Sequence, residues 1–224
     1  MTVYIEKPAV NLREELASLR NQGGYQEQQF WMNGLVTNGT FDADTNWTKG
    51  TGWTISGGVA AVDTSVSGAG VSSKIAQNVA TIVGQRYYLS CEVTASTNVT
   101  ANEIFLRTAG NLVSEPLTST GTYGEYFVAN STSTEVKIEV GTSNNGDETM
   151  SIDNISVFEV DANDDVVHRM PKGWKPKDVF EDGLLQREGA AHDYEVVYDG
   201  FDYFVKPAVA PSATTQTCVI GVKA

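Results

Sequence analysis

Residues 35–53, LVTNGTFDADTNWTKGTGW, and residues 151–159, SIDNISVFE, frame the chain. The first is dense in Asn, Gly, Asp and Thr and closes on Trp53, so it reads as a turn-rich entry into a sheet. The second alternates apolar and polar residues and reads as a closing strand. Between them one strand follows another. Trp53–Ser56 and Val59–Val62 flank Gly57-Gly58, a two-residue hairpin turn. Lys74–Val79, Gln85–Thr94, Glu103–Arg107, Gly124–Ala129, Glu135–Val140 and Met150–Val160 complete the set, separated by Gly, Asn, Ser, Asp and Thr. No helical period survives a window here. The spacing predicts a mainly β chain whose centre, residues 33–160, is an antiparallel jelly-roll β-sandwich.

The flanks read differently. In residues 1–32, Asn11 and Glu14 have the spacing of a capping box, and Leu12, Leu16 and Leu19 recur at i, i+4 and i+7. This predicts an N-terminal helical arm of about three turns. A helix so short is marginal alone and must pack on something, either its own sandwich or a neighbouring subunit. Residues 161–177, DANDDVVHRMPKGWKPK, carry charge, two prolines and Gly173, and read as a linker. Residues 178–224 read as a small C-terminal β unit, with Tyr194–Tyr198 and Phe201–Val205 joined through Asp199-Gly200.

The formal net charge of −13 argues against nucleic acid, whose phosphates require clustered Lys and Arg. No apolar run approaches the ~18 residues of a membrane span, so no membrane insertion is expected. MTVYIEKPAV has neither the apolar core nor the cleavage site of a secretory signal, which fits assembly in a reducing cytoplasm. Cys91 and Cys218 stand in apolar strand-like runs and read as buried free thiols.

The chemistry-bearing residues give little purchase to catalysis. His168 and His192 are the two histidines, and both read as surface loop residues. No GxSxG turn is present, nor His or Cys at zinc spacing. Glu92, Glu103 and Glu125 fall on strands, where a carboxylate reads as solvent-facing, and no matched pair emerges for glycoside hydrolysis. No enzyme is expected. Among the aromatics, Trp47, Trp53, Tyr87, Tyr88, Tyr123 and Tyr126 are the candidates to stack on a sugar ring; Trp53 and one of each Tyr pair read as core, and Trp47 and Tyr123, in turn-rich stretches, are the better two, although a packed corner is the first reading of each. Sequons at Asn38, Asn46, Asn98, Asn130 and Asn154 read as Asn- and Thr-rich turns.

The ordered blocks LVTNGTFDADTNWT, GWTISGGVA, QNVATIVGQRYYLSCEVT, GTYGEYFVA and MSIDNISVFEV resemble the jelly-roll family of carbohydrate-binding-module-like domains. That resemblance implies a structural calcium ion held by Asp153 and Asp42, with Asp42 standing where the family more often has Glu. The other role open to Asp153 is to accept backbone N–H groups of the first loop. The string VFEDGLLQREGAAHDYEVVYDGFDYFVKPAVAPSATTQTCVIGV resembles a module of phage tail fibres and other virion appendages. Together the two resemblances imply a non-enzymatic virion protein of a tailed bacteriophage, a tail-fibre, appendage or head-decoration subunit. Its expected partners are other virion proteins, further copies of itself, as in a trimer, and a host-surface glycan met by the jelly roll. The alternative is a free carbohydrate-binding module of a polysaccharide-processing system.

Overall fold

The computed structural model describes residues 27–32, 34–100, 102–109, 114–186, 188–189, 193–211 and 216–223. The amphipathic segment with Leu12, Leu16 and Leu19 lies outside the described residues, as does His192. The first strands are β1 (Glu27–Trp31), β2 (Thr48–Lys49), β3 (Trp53–Ser56), β4 (Val59–Asp63), β5 (Lys74–Ala80) and β6 (Arg86–Thr97). Then come β7 (Ile104–Thr108), β8 (Ser114–Pro116), β9 (Gly121–Val128), β10 (Ser133–Val140) and β11 (Thr149–Glu159). The last are β12 (His168–Arg169), β13 (Trp174–Glu181), β14 (Leu184–Leu185), β15 (Tyr194–Tyr198), β16 (Tyr203–Pro207) and β17 (Thr217–Lys223).

Strands β2 to β11 form a sandwich of two antiparallel sheets, in the orders β2-β5-β10-β7-β8 and β3-β4-β11-β6-β9. Period-two alternation decides which residues fill the space between them. In β10, Thr134, Val136, Ile138 and Val140 are buried while Glu135, Lys137 and Glu139 face outward. In β6, Tyr87, Leu89, Cys91 and Val93 point in, leaving Tyr88, Ser90 and Glu92 on the outer face. Ile75, Leu89, Ile104, Leu106, Ile138 and Ile152 are fully buried at the centre, each contributing about 2 kcal/mol by leaving water. Both cysteines are buried and free. Asn38, Asn46, Asn98 and Asn154 all have positive φ, so four of the five sequons mark left-handed turn positions that Asn tolerates.

The flanking segments join in a second, smaller unit. Strand β1 pairs antiparallel with β17 from Glu27↔Val222 to Trp31↔Cys218, giving a sheet in the order β1-β17-β13-β14. It packs against a three-stranded sheet, β12-β16-β15, over a core of Met32, Met170, Val179, Tyr194, Val205 and Val219. Three readings change here. Residues 27–31, assigned by sequence to the arm, are a strand of this unit. Residues 161–177, assigned to a linker, contain β12 and the start of β13. His168, expected on a surface loop, is buried on β12 with its ring edge-on to Phe158. Pro171 and Gly173 sit at a turn, Pro176 is buried within β13 beside its bulge, and the apolar residues Val166, Val167 and Met170 go inside.

Arg169 fastens the two units. Its guanidinium donates to Glu159 at 2.6 Å and to Asp202 at 2.7 Å, and lies 4.5 Å from the centre of the Phe204 ring. Lys206 adds a pair to Asp165 at 2.5 Å. Among the described residues no helix is long and apolar enough to cross a membrane.

Candidate functional site

The outer face of the β3-β4-β11-β6-β9 sheet carries a cleft of about 250 Å3. Strand register builds it in rows. Phe158 stands beside Tyr88 and Tyr88 beside Tyr126; Ser156 beside Ser90 and Ser90 beside Gly124; Asp153 beside Glu92 and Glu92 beside Thr122. The rows are possible because β11 is bulged between Asp153 and Ser156, where Asn154 takes a φ of 53°. The bulge is held from behind by the entry loop, since Ile155 N–H donates to the Gly39 carbonyl at 3.0 Å. A Cβ on Gly39 would collide with the Ile155 carbonyl, so the loop reaches the strand only through glycine.

The aromatic part of the face is a pair. Tyr88 and Tyr126 have ring centroids 4.8 Å apart at 44°, and the Arg86 guanidinium lies 4.8 Å from the Tyr126 ring centre. Tyr88 leans over Gly124, where a Cβ would strike its phenol. Burial pushes the Tyr88 hydroxyl pKa up, and the neighbouring Tyr126 and Glu125 add to that. Below the ring the polar groups are matched in twos. Ser90 and Ser156 share a hydrogen bond of 2.8 Å, and the Asn154 amide donates to Glu92 at 2.8 Å. Val166, Ala210 and Pro211 of the following segment supply the remaining wall. The result is an aromatic face beside hydroxyl, amide and carboxylate groups already held in place, the combination that recognises a polyhydroxylated ring.

The two aromatics favoured by sequence are not on this face. Trp47 is 8% exposed, its indole N–H donates to the Asn38 carbonyl at 2.9 Å, and its ring packs 5.2 Å from Phe41. The stretch around it is turn-rich because it wraps a buried corner, so of its two expected roles Trp47 takes the packed corner and not the sugar-stacking ring. Tyr123 is likewise a corner residue. It packs against the sandwich core, accepts the Ser119 N–H at 3.0 Å and bonds the Ser119 carbonyl at 3.0 Å. Burial raises the pKa of its hydroxyl, but the hydrogen bonds from Ser119 and Thr118 outweigh that and bring it to about 8. Tyr88 and Tyr126 take the place that sequence gave to these two. The signal was in the alternation: Leu89, Cys91 and Val93 point in, so Tyr88 points out.

Of the acidic candidates, Asp42 is exposed and accepts the Thr40 hydroxyl at 2.7 Å. Asp153 is half-buried and accepts the Asn154 N–H at 2.7 Å. Burial raises the Asp153 pKa, that N–H opposes the rise, and the charges of Glu92 and Asp42 add to it. Among the described residues no group of three or more His, Cys, Asp and Glu side chains comes together to hold a metal. Glu103, expected to face solvent, is 1% exposed. Its carboxylate is taken up by the Thr100 N–H and by the Asn145 amide at 3.0 Å.

The opposite face of the sandwich has a different character. Across the β2-β5-β10-β7-β8 sheet, Lys74–Glu135, Lys137–Glu139 and Arg107–Glu139 form ion pairs at 2.8, 3.1 and 3.0 Å. Beside them runs an open groove of about 520 Å3, lined by Asn46, Thr48, Gln77 and Asn78 among others. Phe105 lies on this face, and the Arg107 guanidinium sits 3.9 Å from its ring centre.

No protein-family model matches the sequence, and none of the curated proteins does. Among solved structures, the chain is similar to a CBM4 domain at 12% identity and a TM-score of 0.40, over 55% of this chain and 99% of that one. It is similar to the second N-terminal cellulose-binding domain of Cellulomonas fimi β-1,4-glucanase C at 19% identity and a TM-score of 0.41, over 56% and 94%. The enzymatically active domain of bacteriophage CBA120 tailspike protein 4 is similar at 15% identity and a TM-score of 0.37, over 57% of this chain and 21% of that one. At these values none of the three defines a family. The chain is a mainly β protein with a two-sheet sandwich and a smaller unit fastened to it, and its functional reading rests on the cleft itself.

Proposed function

We propose that the protein is a non-enzymatic glycan-binding subunit, with the cleft on the β6-β9-β11 face as its binding site. The observation that carries this is the row of Tyr88, the Ser90–Ser156 hydroxyl pair and the Glu92–Asn154 pair in one walled cleft. A tyrosine face covers the C–H face of a pyranose, and the paired polar groups exchange hydrogen bonds with its hydroxyls. Glu92 is engaged by Asn154, and its role is to accept a hydroxyl hydrogen bond rather than to move a proton. The setting we propose is the virion of a tailed bacteriophage, in a tail fibre, appendage or head decoration. The resemblance of residues 179–222 to virion appendage modules supports it. There the segment with Leu12, Leu16 and Leu19 attaches the subunit, other virion proteins and further copies of the chain surround it, and symmetry multiplies modest affinities. Asp42 and Asp153 would hold a structural calcium ion, which would supply the positive charge that joins the entry loop to the closing strand.

The test is affinity electrophoresis of the full chain through gels containing neutral polysaccharides. Retardation of the wild type and its loss in Tyr88→Ala are expected. Free migration of the wild type through all matrices, or unchanged retardation of Tyr88→Ala, overturns the reading. No reducing ends should be released from any retarding polysaccharide. Light scattering on the full chain and on a version lacking residues 1–26 tests assembly, a defined oligomer lost on truncation being expected.

A further inference from the structure

Resting on the glycan reading above, we infer that the cleft takes the terminal ring of a neutral glycan chain and refuses the chain's interior. The rows of the face have an open end and a closed one. At the open end stand Glu92 and Thr122, where the sheet continues outward through Thr94, which is exposed. At the other end Phe158, Val160 and Val166 form a buried apolar cluster with Tyr88 packed against it. That cluster exists because the chain doubles back after β11, pairing Val160 with Val166 before entering β12. Ala210 and Pro211, from the loop after β16, border the cleft as well. A sugar chain entering past Glu92 and running along the strands therefore meets side chains of the smaller unit after Tyr88.

The space agrees with this. A cleft of about 250 Å3 falls below the roughly 300–1,000 Å3 of pockets that hold drug-sized ligands, and suits one ring rather than a run of them. The wall is fixed: Arg169 ties the two units through Glu159 and Asp202, and Val166 lies three residues before it. Charge decides the class of sugar. Glu92 lines the entrance on a chain of net charge −13, so a uronate or sulfated ring meets like charge, whereas a neutral ring offers hydroxyl donors to its carboxylate.

The experiment uses the full chain in native gels containing a mixed-linkage β-glucan, a xylan, a glucomannan or an α-glucan. Each is tested intact and after partial depolymerisation at equal total mass. Terminal-ring binding makes retardation per gram rise in proportion to the number of chain ends. The double variant Val166→Ala/Pro211→Ala, with its melting temperature measured alongside, should retain retardation and lose this dependence on ends. Equal retardation per gram before and after depolymerisation overturns the terminal-ring inference and leaves the glycan reading standing. Wild-type protein that migrates freely through all matrices in both forms, or a Tyr88→Ala variant that is still retarded, overturns both.

Discussion

The imidazole of His168 meets the ring of Phe158 edge-on, with centroids 6.1 Å apart and planes at 76°, at the seam between the sandwich and the smaller unit. Its Nε2 is buried and has no hydrogen-bond partner among the described residues, and burial lowers its pKa to about 4. The native state therefore holds the neutral ring, while the unfolded chain takes up a proton at the ordinary value near 6.5. Stability from this group is complete above pH 6.5 and falls as the pH drops toward 4, by up to about 1.4 kcal/mol per pH unit. Thermal denaturation between pH 7 and 4 should show that slope, and His168→Leu should flatten it. An unchanged slope in the variant would place the titrating group elsewhere.

Arg169 is the second fastening of the same seam. Burial holds the Glu159 carboxyl above its ordinary range in spite of the guanidinium beside it. Removing Arg169 leaves that carboxylate facing the seam without its partner. Arg169→Ala is expected to cost about 3 kcal/mol and to split one melting transition into two as the units uncouple. Calorimetry distinguishes this from a uniform loss of stability.

Gly124 matters through the space it leaves. A methyl group there displaces the Tyr88 phenol without entering the sandwich core. Gly124→Ala should therefore weaken glycan retardation about tenfold, equivalent to ~1.4 kcal/mol, while the far-ultraviolet circular dichroism stays unchanged.

At the end of the sandwich where β10 turns back into β11, Asn145 links two buried carboxylates. Its amide donates to Glu103 at 3.0 Å and its backbone N–H to Glu148, which also receives the Gly146 N–H at 3.0 Å and the Thr64 hydroxyl. Burial raises the Glu148 pKa, and the hydrogen bond from Thr64 followed by the backbone N–H groups outweighs it, so the net shift is downward. The group then stabilises the fold above its ordinary value near 4.5, and that contribution is lost as the pH falls through the native value. Glu148→Gln should cost about 1–3 kcal/mol at pH 7, and the gap to wild type should narrow below pH 4. Denaturant titration at both pH values measures it.

Calcium has its own signature. An ion between Asp42 and Asp153 would raise the melting temperature in proportion to the logarithm of its concentration, and Asp153→Asn would abolish that response. A melting curve indifferent to calcium and to chelator would show that Asp153 serves the bulge alone.

The sandwich was readable because its strands obey a strict period. STEVKIEV in β10 alternates so regularly that its inward set is unambiguous. The aromatic site was half readable. Tyr88 follows from the same rule applied to β6, whereas Trp47 stayed open between a stacking ring and a packed corner, because Asn38 and Phe41 close over it only in the folded chain. Local pattern gives no sign that Pro211 borders a cleft floored by Ser90, or that residues 27–31 pair with residues 218–222. Such contacts depend on topology, and no short window carries them.

The pairing of β1 with β17 also has a mechanical meaning. Glu27 and Val222 are partners, so the ends of the two strands from which the chain departs lie at the same end of the ladder. Tension applied between them opens the pair like a zip, one rung after another, instead of shearing all its bonds together. The β2 to β11 sandwich is spliced into the loop behind that zip. It feels no pull until the last bond of the ladder, from the Met32 N–H to the Thr217 carbonyl, has parted. Held by β1 and β17, the protein would yield first in the smaller unit and keep its sugar-facing sheet intact.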